Sequence, residues 1–186
     1  KTKTSTFSNP LVENVLEFGS VVKPLVLAAA LDAGVLTADT TYNDKGSVMI
    51  EKKEIFNFDK KARGQGTSMQ EVLNQSLNTG MVFVEQQLGK EKLRDYLLSY
   101  GIKEKTGIDL PNETSGLVSN LNSPREIEYA NASFGQGIAL TPIELTRALA
   151  SLANGGNLVV PHLVKKIKYD DLTEKEFTYP TSGVKI

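Results

Sequence analysis

The sequence contains no cysteine, which removes disulfide frameworks, thiolate metal sites and cysteine nucleophiles together. It has no apolar run near the roughly 20 residues a bilayer-spanning helix requires; the longest candidate is Pro24-Leu-Val-Leu-Ala-Ala-Ala-Leu31. Neither charge sign is in excess, with 21 basic against 22 acidic residues. The lysines and arginines form no stripe, so a nucleic-acid partner held by phosphate contacts is excluded. The single histidine, His162, precedes a strand-like run and is assigned a surface role, which leaves a Ser-His-Asp triad without a base. Gly135-Gln136-Gly137 lacks a Walker lysine and a third glycine, so it reads as a backbone turn and no nucleotide cofactor is expected. Asp170-Asp171 and Glu174/Glu176 lie in turn-like sequence, where a solvated face is expected, and no metal is called for.

What is present suits a compact soluble fold: 186 residues, 40% hydrophobic and 23% charged, enough for one domain with a real core. The chain opens on Lys1 without an initiator Met or a signal-peptide pattern. It therefore reads as an excised piece, with any targeting segment upstream.

An extended lead-in that mixes Thr, Ser and Lys with Asn9-Pro10 is expected to close on a tight turn at Gly19, and an Ala/Leu/Val-rich helix is expected from Ser20 to Ala33. Pro24 is tolerable in its first turn, and Gly34 is the stop. Residues 35–67 read as short strands and loops around Asn43-Asp44-Lys45-Gly46 and Arg63-Gly64-Gln65-Gly66. Ser68-Met-Gln-Glu71 looks like a capping box opening a short helix to about Gln75, with further helices over Thr79–Leu88 and Lys90–Tyr100. Two more boxes, Ser123-Pro-Arg-Glu126 and Thr141-Pro-Ile-Glu144, carry Pro at the first helical position. The second opens a helix expected to turn Leu145, Ala148, Leu149 and Leu152 inward. Leu163, Lys165, Ile167 and Tyr169 alternate along a strand that turns at Asp170-Asp171. With no internal repeat or low-complexity linker, the expectation is a helix-rich α/β domain over residues 1–186 without an internal boundary.

Ser20 and Lys23 stand one helical turn apart, which places an amine beside a hydroxyl. A serine hydroxyl is a weak nucleophile until a neighbour takes its proton, and a lysine does so when apolar surroundings lower its pKa. Val21, Val22 and Pro24 supply such surroundings, and a helix start adds N–H groups suited to an oxyanion. The tetrapeptide alone is better explained by an N-cap serine followed by a solvated lysine. This lysine, however, lies within an otherwise apolar helix and needs a polar partner. Ser76 and Asn78, at a helix break, fit that need: a hydroxyl can relay a proton, and an amide can bind the lysine or a substrate carbonyl. Alternatively, Ser76-Leu77-Asn78 merely caps the next helix.

Glu17-Phe-Gly-Ser-Val-Val-Lys-Pro24, Asn74-Gln-Ser-Leu-Asn-Thr-Gly80 and Ala132-Ser-Phe-Gly-Gln-Gly-Ile-Ala-Leu-Thr-Pro142, in that order, resemble the transpeptidase domains of class B penicillin-binding proteins. Asn154-Gly-Gly-Asn-Leu-Val-Val-Pro-His-Leu-Val164 extends the likeness, which runs from about Glu17 to Val164. The family carries Ser-x-x-Lys, Ser-x-Asn and a Lys-Thr-Gly on a strand beside the serine. The resemblance implies the penicillin-binding protein/β-lactamase-like fold, helical part predominating, with Ser20, Lys23, Ser76 and Asn78 as catalytic residues and no cofactor. It implies attack by Ser20 on the D-Ala-D-Ala bond of a peptidoglycan stem peptide, acylation by β-lactam antibiotics, membrane-anchored divisome or elongasome partners, and the extracytoplasmic face of a bacterial cell membrane. Phe18 departs from the family's usual Pro, and Leu77 falls at a variable position.

Lys105-Thr106-Gly107 resembles the third motif but is out of order, preceding the Phe-Gly-Gln-Gly region, and Lys105 is read as structural. The family's Lys-Thr-Gly follows the Pro-His-Leu-Val stretch, and none follows it here before Ile186. That strand binds the substrate carboxylate, so a chain without it is expected to lack full turnover. Two further readings stay open: a class D-like β-lactamase, and a catalytically incomplete penicillin-binding sensor or scaffold.

Overall fold

A computed structural model describes residues 8–179. Among them the order is α1 (Pro10–Glu13), a 3₁₀ turn (Gly19–Val22), α2 (Lys23–Asp32), β1 (Thr41–Asp44), β2 (Ser47–Ile50), β3 (Lys53–Phe56), β4 (Gly64–Ser68), α3 (Met69–Asn74) and α4 (Asn78–Leu88). Then come α5 (Lys90–Ser99), a 3₁₀ turn (Ser119–Asn122), α6 (Glu126–Ala132), α7 (Pro142–Ala153), β5 (Lys166–Lys168) and β6 (Glu174–Glu176). Helix predominates over short antiparallel ladders, as a helix-rich α/β chain requires. The ladders pair β1 with β4, β2 with β3 and β5 with β6, and β1–β4 carries a bulge between Tyr42 and Asp44.

These residues form two compact units, each built from separated stretches: 17–99 with 117–139, and 8–16 with 100–116 and 140–179. No linker marks the joins, because each unit is assembled from pieces distant in sequence. The first unit is centred on α2, which lies against α4 and α5. Val22, Leu25, Val26, Ala29 and Ala30 of the α2 segment and Met81, Val82 and Val84 of α4 are almost wholly buried. Full burial of each large aliphatic side chain contributes about 1.5–3 kcal/mol. Gly80 lets α3 close on α4, since a Cβ there would lie 2.4 Å from a Val72 methyl. In the second unit α1 lies against α7, and Asn9 caps α1 by accepting from the Leu11 N–H.

Several expectations are corrected. The helix begins with a 3₁₀ turn carrying Ser20, and the α-helix proper starts at Lys23. Of the three capping boxes only Thr141/Glu144 closes in both directions; Glu144 also accepts from the Gly116 N–H. Ser68 accepts from the Glu71 N–H, but the Glu71 carboxylate is held by Asn74 and Gln75. Ser123 turns to the Arg125 N–H, so α6 starts at Glu126, whose carboxylate pairs with Lys90. On α7 the inward face is Glu144, Leu145, Arg147, Ala148 and Ser151, while Leu152 faces out. The strand expected from Leu163 to Tyr169 is limited to Lys166–Lys168, an exposed ribbon held by Glu174 against Lys166 and Lys168.

Candidate active site

Ser20, Lys23, Ser76 and Asn78 all belong to the first unit, and hydrogen bonds bring them together. The Lys23 ammonium donates to the Ser76 carbonyl oxygen at 2.7 Å, to Ser76 Oγ at 2.9 Å and to Asn78 Oδ1 at 2.8 Å. These three bonds match its three donors, which answers the partner that an apolar helix demanded of it. Ser76 Oγ in turn donates to Ser20 Oγ at 2.9 Å. The lysine thus meets the outer serine through the inner one, and the direct Ser20–Lys23 contact expected from one helical turn is replaced by a relay.

Burial grades along this chain. Ser20 is exposed, Ser76 half-buried and Lys23 only 1% accessible. Burial disfavours the charged amine and pulls Lys23 down to about 8 from its usual 10.5, within reach of a proton-accepting role near neutral pH.

Ser76 holds this geometry at a backbone cost. Its φ is +54°, in the left-handed region that costs a non-glycine residue about 1–2 kcal/mol. The bend lets both the carbonyl and the hydroxyl of one residue face Lys23. Such conformations concentrate at functional sites.

Asn78 is the first residue of α4 and spans two elements: its Oδ1 accepts from Lys23 and its Nδ2 donates to the Phe56 carbonyl at the end of β3. It also borders an open groove of about 310 Å³ lined by Lys53, Phe56, Asn131, Phe134 and Gln136 among others. The Phe134-Gly135-Gln136-Gly137 turn packs directly on the turn that carries Ser20. The Gly19 N–H donates to the Gly135 carbonyl at 3.2 Å, and a Cβ on Gly135 would stand 2.1 Å from the Gly19 oxygen. Gly135 and Gly137 both have positive φ, as the turn reading expected.

The remaining candidates lie in the second unit. His162 is exposed and stacks on Tyr179, ring centroids 3.6 Å apart. Thr106 and Gly107 are tied by their N–H groups and the Thr106 hydroxyl to the Glu113 carboxylate, which gives Lys105-Thr106-Gly107 a loop-closing role. Sequence reasoning missed the backbone carbonyl of Phe56 and the approach of Gly135 to Gly19. The first has no side-chain signal, and the second was legible only as a turn. No helix among the described residues is long and apolar enough to cross a membrane.

The model of the family described as "Penicillin binding protein transpeptidase domain" matches residues 1–183. "Stage V sporulation protein D" of Bacillus subtilis (strain 168) is 36% identical over 166 residues, covering 88% of this chain and 25% of that protein. A "Peptidoglycan D,D-transpeptidase FtsI homolog" of Mesostigma viride is 32% identical over 182 residues, covering 92% of this chain and 30% of that protein. Among solved structures, penicillin binding protein 3 of Mycobacterium tuberculosis complexed with aztreonam is similar with a TM-score of 0.84 and 27% identity. That match covers 94% of this chain and 39% of that one. The chain therefore spans about a quarter to a third of the length of these two curated relatives.

Proposed function

Because the chain belongs to the penicillin-binding protein transpeptidase family, we propose that it carries the nucleophile, relay and base of a peptidoglycan D,D-transpeptidase. Ser20 is the nucleophile, Ser76 the relay, Lys23 the base, and Asn78 the group that orients Lys23 and meets the substrate. The observation that carries this reading is the unbroken hydrogen-bonded path from an exposed serine through Ser76 to a buried amine of lowered pKa.

In the reactive state Lys23 is neutral, and the path runs from the Ser20 hydroxyl to Ser76 and from Ser76 to Lys23. As Ser20 Oγ bonds to the penultimate D-alanine carbonyl carbon, its proton moves to Ser76 Oγ and the Ser76 proton moves to Lys23. The Ser20 N–H, at the opening of the Gly19–Val22 turn, precedes its first internal hydrogen bond and suits the developing oxyanion, while the Gly19 N–H is already held by the Gly135 carbonyl. The carbon–nitrogen bond then breaks, and the proton returns along the same path to the departing D-alanine amine. The amine of a neighbouring stem attacks the Ser20 ester, its proton returns to Ser20, and the cross-link is complete. Serine acyl transfer of this kind requires no cofactor.

The stem peptide and β-lactams are the ligands of this reading; the solved mycobacterial relative is itself complexed with aztreonam. The reading also assigns the protein to the extracytoplasmic face of the cell membrane, with membrane-anchored wall-synthesis proteins as partners. The test is a fluorescent penicillin on the full-length protein. A long-lived adduct on Ser20 is expected, its rate of formation rising with pH through about 8 as Lys23 loses its proton. No adduct is expected with Ser20→Ala. Labelling that survives Ser20→Ala defeats the proposal, and rapid release with hydrolysed antibiotic favours a β-lactamase instead.

A further inference from the structure

Beneath Asn78 lies a buried polar cluster that the proton path leaves unused. Asp44 is 1% accessible, Asn57 2% and Thr79 5%, and they come from the end of β1, the residue after β3 and the second residue of α4. Asp44 makes no ion pair among the described residues. Its carboxylate is met by hydrogen-bond donors: Asn57 Nδ2 at 3.0 Å to each oxygen, Thr79 Oγ1 at 2.8 Å, and the N–H groups of Gly46 at 2.9 Å and Arg63 at 3.1 Å. Such donors satisfy a buried carboxylate that burial otherwise penalises.

Hydroxyl accounting fixes the direction of the contacts. Thr79 has one hydroxyl proton facing two acceptors, the Asn57 carbonyl oxygen at 3.0 Å and the Asp44 carboxylate at 2.8 Å, and the shorter contact is to the charged group. It therefore donates there and accepts from the Tyr42 hydroxyl, 3.0 Å away. The Asn57 carbonyl oxygen accepts the Thr79 N–H at 3.2 Å. That N–H is one of the orphan donors at the start of α4, and Leu77 at the N-cap supplies no side-chain cap. The helix is therefore capped from the loop after β3, by a carboxamide that Asp44 holds in place.

Asn78 sits between these restraints. The residue after it is capped by Asn57, and its own Nδ2 is fixed to the carbonyl of Phe56, the neighbour of Asn57. We infer that Asp44, Asn57 and Thr79 are positioning residues for the acyl transfer, clamping the start of α4 so that the Asn78 carboxamide stays on Lys23 and at the edge of the groove. This rests on the reading of Ser20 as the acylated serine. None of the three touches Ser20 or Lys23 by hydrogen bond among the described residues; they act through Asn78.

Thr79→Val keeps the side-chain shape and removes only the hydroxyl that ties α4 to Asp44. In the full-length protein, acylation by a fluorescent penicillin is resolved into the dissociation constant before acylation and the acylation rate constant, across about pH 6 to 9. The rate constant is expected to fall on the order of tenfold to a hundredfold, as misplacement of a catalytic group by about an ångström does. The midpoint of the rising limb is expected to move to lower pH, because a misplaced Asn78 no longer stabilises the ammonium. Thr79→Ser restores the hydroxyl and is expected to recover most of the rate. Asp44→Asn is the second variant, read in the same way, with folded fraction fixed by circular dichroism. A purely structural role lowers the melting temperature and leaves the rate and midpoint of the folded molecules unchanged, and that result overturns the inference alone. A wild-type protein that takes no label at Ser20 overturns the transpeptidase reading and this one with it.

Discussion

Ser76 carries three duties in one residue: its carbonyl and hydroxyl both receive Lys23, its hydroxyl reaches Ser20, and its backbone is held at φ +54°. Substitutions separate these duties. Ser76→Gly and Ser76→Ala both remove the hydroxyl and, under the proposed relay, both lose penicillin acylation. Only glycine relaxes the left-handed backbone, so urea unfolding should find Ser76→Gly more stable than Ser76→Ala by about 1 kcal/mol. Equal stabilities would mean that the bend carries no strain. The side chains of this site were legible in the sequence because each is a chemistry-bearing type at short spacing: Ser20 with Lys23, and Ser76 with Asn78. The strain was not legible, since a left-handed serine has no compositional signature. The expected direct contact between Ser20 and Lys23 was misread for a related reason. Helical spacing sets Ser20 and Lys23 on one face, yet the buried amine is drawn to three acceptors on the 76–78 segment.

At the scale of elements, the turn at Gly135 holds the turn at Gly19. A Cβ at position 135 would collide with the Gly19 backbone at 2.1 Å, and neither backbone can yield without moving Ser20. Gly135→Ala is expected to cost several times the roughly 1 kcal/mol of a positive-φ glycine replaced in open space, and to depress acylation strongly. Gly89→Ala is the matched control: its φ is +83° but nothing lies within 4 Å of the added carbon. Thermal unfolding and penicillin labelling of both variants check the contrast, and equal losses would remove the close approach from the explanation. The longer helices came through from sequence with small end errors because apolar spacing and glycine stops are local, whereas α1 (Pro10–Glu13) lies in a stretch read as an extended lead-in. Asn57 did not come through, because it falls in a stretch read only as short strands and loops, and Asp44 did not, because in Asn43-Asp44-Lys45-Gly46 it reads as a turn residue. Their partner Thr79 is 22 and 35 residues away in sequence, and only the fold reveals the pairing.

At the scale of the molecule, two buried ionisable groups shape stability in opposite directions. Burial, aided by Glu126, raises Glu85 from 4.5 to about 7. Between those values the folded state holds a proton that the unfolded state has lost, so this group's contribution falls as pH rises from about 4.5 to 7. Lys23 is lowered from 10.5 to about 8. There the unfolded state holds the extra proton, and stability recovers from about pH 8 to 10.5. Together they place a shallow minimum near pH 7 to 8. Unfolding by urea at a series of pH values should show it, and Glu85→Gln should remove the decline on the acidic side; a decline unchanged in that variant assigns it to other groups. The two units are themselves discontinuous along the chain, which is why composition offered no boundary to find. The same discontinuity governs the active site, where the Lys23–Ser76 contact joins residues 53 positions apart. Contacts of that separation close late and open early, because loop entropy opposes them until the surrounding core is in place. Under the proposed chemistry, a bound penicillin therefore counts molecules in which this contact is closed, and antibiotic capture becomes a census of correctly folded chains.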